Sequence, residues 1–264
     1  MKILFLSNKD LASNFALNRL LPNVSKTNEV HLWLSAKVGK NNLPPKQLKS
    51  LKFFEQDLFN EVISPLIANS KSTYSAFDNF TCFLSSELRE VNQINAPEAI
   101  EMLRELSPDL IVSIRYGGIL KETVINIPKD GVLNLHSGIL PKYKGVMATF
   151  WALKNNDFEV GTTLHTIENR SIDTGHIIKI SKMQSRATKS YLWHVLELYK
   201  QGTLDILTAI ESIEKGESLH SQPQGESDLY FTFPNQIECN EFEDSGFTIV
   251  DEQDYMTFIK DNYL

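Results

Sequence analysis

"APEAIEMLRELSPDLIVSIRYGGIL", residues 96–120, changes period in its middle. Residues 96–107 place a proline near a helix's first turn and continue with apolar residues at helical spacing. Residues 108–116 then run through Leu110, Ile111, Val112 and Ile114, the near-continuous apolar text of a strand buried on both faces. A helix passing directly into such a strand is half of a parallel crossover unit, and the pattern recurs along the chain. "KILFLS" (2–7) precedes a helical pattern across 10–21, "EVHLWLS" (29–35) alternates as a second strand, and 44–68 carries apolar residues at helical spacing. "KDGVLNLH" (129–136) is the next strand. Strands alternating with helices predict an α/β fold, a Rossmann-like doubly wound and mostly parallel sheet, with its ligand crevice at the strands' carboxyl ends.

Beyond residue 147 the text changes. "MATFWALKNND" reads as a helix, "EVGTTLHTI" and "GHIIKISKMQ" as alternating strands, and 188–216 as a long amphipathic helix with Thr188 as its cap. The tail mixes turns with "DLYFTF" and a final helical "EQDYMTFIKDNYL". The predicted organisation is a catalytic domain over 1–216 and a small C-terminal elaboration over 217–264.

Composition narrows the function. Of 264 residues, 42% are hydrophobic and 22% charged, a globular balance, and the net charge of −7 argues against a nucleic-acid partner. The Lys-rich stretch 37–52 is the local exception and reads as a solvated loop and helix face. Cys82 and Cys239 lack metal-ligand spacing, which fits a reducing cytoplasm. No apolar run approaches the roughly 18 residues of a membrane span, so a cytoplasmic protein without membrane contact is expected. "LSNKDLASN" after the first strand lacks the glycines of a dinucleotide or Walker loop, and no G-x-S-x-G elbow surrounds Ser137.

Chemistry concentrates in "GVLNLHSGILPKYKG", residues 131–145. Asn134 and His136 lie two apart and so share a strand face, offering an amide and an imidazole donor to one point, a pair suited to a developing oxyanion. Taken alone, a polar pair ending a strand and satisfied by backbone is the plainer reading. A second element, "SIDTGHII" (171–178), sets Asp173 in a glycine-closed turn, where a carboxylate could fix the histidine's tautomer and relay protons.

Together, "NLHSGILPKYKG" and, 37 residues after His136, "IDTG" resemble the folate-dependent formyltransferase family, as does "SIRYGGILKETVINIP" upstream. The resemblance is dense over about 105–185. It implies the formyltransferase fold, 10-formyltetrahydrofolate as formyl donor, no metal, and Asn134, His136 and Asp173 as catalytic residues. It also places Gly117, Gly118, Ile119 and Leu120 against the pterin, with Glu168, Asn169 and Arg170 in the loop forming the opposite wall. One departure is that His165 precedes Asp173 by eight residues, one more than the family pattern.

The acceptor amine has competing readings. A glycinamide ribonucleotide enzyme wants a glycine-rich phosphate pocket after the first strand. A methionyl-tRNA formyltransferase carries a basic C-terminal domain, whereas this tail is acidic, and a formyltetrahydrofolate hydrolase adds a regulatory domain ahead of the first strand. Chain length, acidic balance and the tail most resemble sugar N-formyltransferases acting on nucleotide-linked 4-amino-4,6-dideoxy sugars, such as GDP-perosamine or a dTDP-linked sugar, for surface polysaccharide such as O-antigen. The base, the stereochemistry and the position of the amine stay open, and a non-enzymatic binder is the remaining alternative. On the sugar reading, Asn8, Lys9 and Asn14 would meet the diphosphate, Tyr143 and Lys144 the hexose or a phosphate, and Tyr230 and Phe233 the base. Each also has a plain structural reading as a surface or packing residue. A homodimer is expected, with the tail and the helix 188–216 as candidate interfaces.

Overall fold

A computed structural model of the chain describes residues 1–36, 44–68 and 72–264; Lys37 and Lys40 of the Lys-rich stretch lie outside the described residues. The strands are β1 (Lys2–Asn8), β2 (Glu29–Ser35), β3 (Arg89–Glu90), β4 (Leu110–Ile114), β5 (Val132–His136), β6 (Lys144–Gly145), β7 (Glu159–Thr166), β8 (Ile177–Gln184) and β9 (Tyr230–Phe231). The helices are α1 (Leu11–Val24), α2 (Lys46–Lys52), α3 (Ser64–Ala68), α4 (Pro97–Leu106), α5 (Glu122–Ile125), α6 (Ala148–Lys154), α7 (Tyr191–Glu214), α8 (Gln236–Asp244) and α9 (Glu252–Tyr263). Seven strands form one sheet in the order β3-β2-β1-β4-β5-β7-β8, parallel through β5 and antiparallel for β7 and β8. The mostly parallel, doubly wound expectation agrees with this arrangement.

Successive residues of β1 show why both faces must be covered. Ile3 and Phe5 enter the larger core with α1 and α7, while Leu4 and Leu6 enter a second core with α4. From β1 the chain steps outward to β2 and β3, then crosses back past β1 to reach β4, so the strand order reverses between β1 and β4. The carboxyl ends splay there and leave a crevice.

Three local features differ from the sequence reading. The helix expected over 44–68 begins at Lys46 and widens into a π-helical segment, Phe53–Ile63, before α3. The cap of α7 is Ser190, not Thr188: its hydroxyl accepts from the Trp193 N–H, and helical geometry starts only at Tyr191. Helix α8 was hidden in acidic text because only Cys239 and Phe242 of its nine residues are buried. The buried side of α7, including Val195, Tyr199 and Ile206, belongs to the main core, and so do Phe242, Tyr255 and Tyr263 of the tail.

Candidate active site

Strand β5 buries Val132, Leu133 and Leu135 in the sheet layers. Asn134 and His136 face a cavity of about 660 Å³ along the carboxyl ends of β1, β4 and β5. Asp173 arrives from the loop between β7 and β8. Its φ of +54° lies in the left-handed region that aspartate tolerates better than most residues. Two glycines permit the approach of the surrounding backbone. A Cβ on Gly175 would stand 1.8 Å from the Thr166 carbonyl oxygen, and one on Gly145 (φ +99°) would stand 2.1 Å from that of Phe231.

The Asp173 carboxylate is held on three sides. Its Oδ2 accepts from the Gly145 N–H at 2.8 Å and lies 3.5 Å from His136 Nδ1, while Oδ1 lies 3.5 Å from His165 Nε2. Behind it, the Gln224 side-chain amide donates to the Asp173 and Gly175 carbonyls at 3.0 and 2.7 Å, tying the tail to the turn. Burial alone would raise the Asp173 carboxyl. The two imidazoles and the Gly145 N–H outweigh that and bring it down to about 2.

The expected pair of open donors on Asn134 and His136 is only half present. The turn after β5 returns the Tyr143 carbonyl to 2.7 Å from His136 Nε2, so both ring nitrogens face oxygens, one backbone and one carboxylate. A ring protonated on both nitrogens satisfies both contacts; a neutral ring satisfies one. Asn134 Nδ2 lies 3.0 Å from His165 Nε2, and His165 Nδ1 donates to the Thr166 carbonyl at 2.8 Å. One Asn134 N–H is thereby committed to His165, leaving the second for a ligand. His165, given no role by the sequence reading, is the cross-strand partner of Asn134, beside a register shift of β7 against β8.

The structure divides the remaining predicted residues. Gly117, Gly118, Ile119 and Leu120 line the cavity, as do Asn169 and Arg170 and, of the expected substrate contacts, Asn8, Tyr230 and Phe233. Glu168 is instead turned to Thr166 and His176. Lys9 is exposed and outside the wall. Asn14 is buried away from the cavity, accepting from the Tyr263 hydroxyl at 2.8 Å and donating to the Ser75 carbonyl. Tyr143 donates its hydroxyl to Asp157, and Lys144 donates to the Ser227 carbonyl, so neither side chain reaches the cavity. Even Asn8 is engaged, donating to Asp10 and accepting from Ser35.

The cavity lining also holds charge that the sequence did not signal. Arg115, with φ +57°, donates Nε to Asp10 at 3.0 Å and Nη2 to both Glu55 oxygens at 3.0 and 3.1 Å. Burial pushes the Glu55 carboxyl up to about 7; the Arg115 guanidinium opposes the shift and the Asp10 carboxylate adds to it. Because this folded value lies above the ordinary 4.5, the group's contribution is complete below pH 4.5 and is lost as pH rises through 7. Glu55→Gln lacks that titration. Its melting temperature relative to the parent should therefore climb between pH 5 and 8, and a difference independent of pH would contradict the assignment. Among the described residues, no three His, Cys, Asp or Glu side chains are placed to hold a metal ion, and no helix is long and apolar enough to cross a membrane.

Comparison with known proteins gives this geometry a context. Residues 64–191 match the family model described as formyl transferase. A methionyl-tRNA formyltransferase of Fusobacterium nucleatum is 31% identical over 177 residues, which cover 67% of this chain and 56% of the relative. The chain thus spans little more than half the length of that relative. Among solved structures, an N-formyltransferase from Helicobacter canadensis, in complex with folinic acid and dTDP-3-aminofucose, superimposes with a TM-score of 0.55 at 21% identity over 88% of this chain and 71% of its own. Glycinamide ribonucleotide transformylase 1 from Symbiobacterium toebii does so with a TM-score of 0.58 at 13% identity over 85% of this chain and 95% of its own. At these identities the structural likeness establishes the fold.

Proposed function

We propose that this chain, a member of the formyl transferase family across residues 64–191, moves the formyl group of 10-formyltetrahydrofolate to the amine of a nucleotide-linked aminodeoxy sugar. The observation that carries the reading is the convergence of Asn134, His136 and Asp173 on one cavity wall, beside a slot between residues 116–120 and 169–174. That slot combines apolar Ile119, Leu120 and Ile167 with glycine backbone at 117 and 118, which suits a flat heterocycle with hydrogen-bonding edges. The folate supplies the activated formyl carbon. Asn134 offers its free N–H to the formyl oxygen, where negative charge grows as the amine attacks. The amine gives up a proton to the His136–Asp173 pair as its bond to the formyl carbon forms, and the pair returns a proton to the folate nitrogen as the old C–N bond breaks. Residues 1–216 form the catalytic domain in this reading, and the elaboration 217–264 contributes Tyr230 and Phe233 to the cavity wall.

The sugar acceptor is favoured by the acidic tail and by the neighbour from Helicobacter canadensis, which was solved with folinic acid and a dTDP-linked amino sugar. Methionyl-tRNA remains the second reading, because the relative of higher sequence identity bears that name. An acceptor panel separates them. Incubated with 10-formyltetrahydrofolate, the protein should formylate a nucleoside-diphosphate-linked 4-amino-4,6-dideoxyhexose and leave glycinamide ribonucleotide and charged initiator tRNA unmodified. Robust formylation of the tRNA would overturn the sugar assignment.

A further inference from the structure

The charged cluster in the cavity lining has no part in formyl transfer as described above. Glu55 is 5% exposed and Tyr191 3% exposed, yet both line the cavity together with Asn8, Arg115 and Tyr199. Glu55 stands on the π-helical segment, Arg115 follows β4, and the two tyrosines come from α7, so three separate elements converge. The Arg115 guanidinium is shared between two carboxylates and is thereby committed within the cluster. Lys52, also on the wall, pairs with Asp57, and Lys9 is not part of the wall. Such a cluster offers phosphate no uncommitted cation. This differs from the expectation that a diphosphate would lie just beyond the first strand.

A second observation points to a ligand. The Tyr191 hydroxyl makes no hydrogen bond among the described residues, although it lies in the field of Arg115 and Glu55. Buried hydroxyls are nearly always satisfied, and one opening onto a cavity next to a carboxylate is completed by whatever occupies that cavity. The neighbouring groups offer an anionic acceptor in Glu55 and hydroxyls in Tyr191 and Tyr199 that can donate or accept. This inventory matches the vicinal hydroxyls of a sugar ring.

We propose that Glu55, Tyr191 and Tyr199 form a subsite for the phosphate-free, hydroxyl- and amine-bearing ring of the acceptor. Glu55 accepts hydrogen bonds from the ring's hydroxyls, Tyr191 donates to a ring oxygen, the amine is left free for the formyl carbon, and any phosphate of the acceptor lies away from this cluster. The proposal rests on the formyl-transfer reading for the identity of the ligand as acceptor, and binding tests it separately from turnover.

Ligand-observed saturation-transfer NMR on the intact chain makes that test, with a free 4-amino-4,6-dideoxyhexose as one probe and a nucleoside diphosphate as the other. Tyr191→Phe removes one oxygen that no protein group holds, so the fold is retained; Glu55→Gln removes the charge. The parent should bind the free sugar. Each variant should weaken that binding roughly five- to tenfold, the loss expected of one hydrogen bond, and leave nucleoside diphosphate binding unchanged. Absence of sugar binding by the parent, sugar binding untouched in both variants, or a loss confined to the nucleoside diphosphate would overturn the subsite. A parent that binds the sugar through these residues but forms no formamide upholds the subsite and sinks the transfer reading instead.

Discussion

Replacing Asn134 or His136 by alanine should lower turnover about 100- to 1,000-fold, for Asn134 the usual cost of removing one preorganised donor from a developing oxyanion and for His136 that of removing a positioned proton-transfer group. The two substitutions reach this loss differently. Asn134→Ala removes the N–H aimed at the cavity and also frees His165 Nε2, which stands 3.0 Å from the amide. His136→Ala removes the ring that lies between the Tyr143 carbonyl and the Asp173 carboxylate. Neither residue contributes to the slot at 116–120, so folate affinity should stay within about twofold of the parent. Steady-state turnover with a formyl-folate donor and direct folate titration check the two halves. A tenth of parental turnover surviving in either variant would contradict the assigned roles.

Asp173→Asn should be more severe, about 10,000-fold in turnover, because it removes the charge from a group facing two imidazoles at once. The substitution isolates charge from shape. Asparagine is at least as tolerant of the left-handed backbone at φ +54°, and its carbonyl oxygen can still accept from the Gly145 N–H. Since the carboxyl sits at about 2 in the parent, it stays ionised across the working pH range. The activity lost on substitution should therefore not return on acidification or on raising the pH to 9. Acceptor and folate titrations should match the parent, and recovery of turnover at any pH would contradict a purely electrostatic role for Asp173.

The legible parts of this chain are those whose signals are local. Strand β4 could be read because Leu110, Ile111, Val112 and Ile114 all enter one core or the other, and doubly covered strands have no polar face to confuse the pattern. Asn134 and His136 stood out because they interrupt such a run on one face, and Asp173 because its turn carries its own glycine. The charged cluster in the cavity lining was illegible for the opposite reason. Arg115 and Glu55 lie 60 residues apart, and Glu55 reads as an ordinary charge on a helix until a π-helical segment turns it inward. His165 hid within an alternating strand, and its register opposite Asn134 emerges only when β7 pairs with β5. Asn14 and Lys144 looked like ligand contacts because a polar residue near a strand end often is one. Here the former is taken up by Tyr263 and Ser75 and the latter by Ser227, across separations no local pattern reveals. Helix α8 did carry a readable sign, the Asn235–Glu238 capping box, outweighed by the acidic text around it.

Carbon balance in a single reaction tests the central claim most directly. The parent protein is mixed with 10-formyltetrahydrofolate and a nucleotide-linked 4-amino-4,6-dideoxyhexose; tetrahydrofolate release is followed by absorbance and the formamide product by mass spectrometry. Transfer through Asn134, His136 and Asp173 requires one formamide for each tetrahydrofolate released, with both products absent from the Asp173→Asn reaction. Release of tetrahydrofolate together with free formate and unmodified amine would contradict the account, since it would make water rather than the acceptor the species that the site activates.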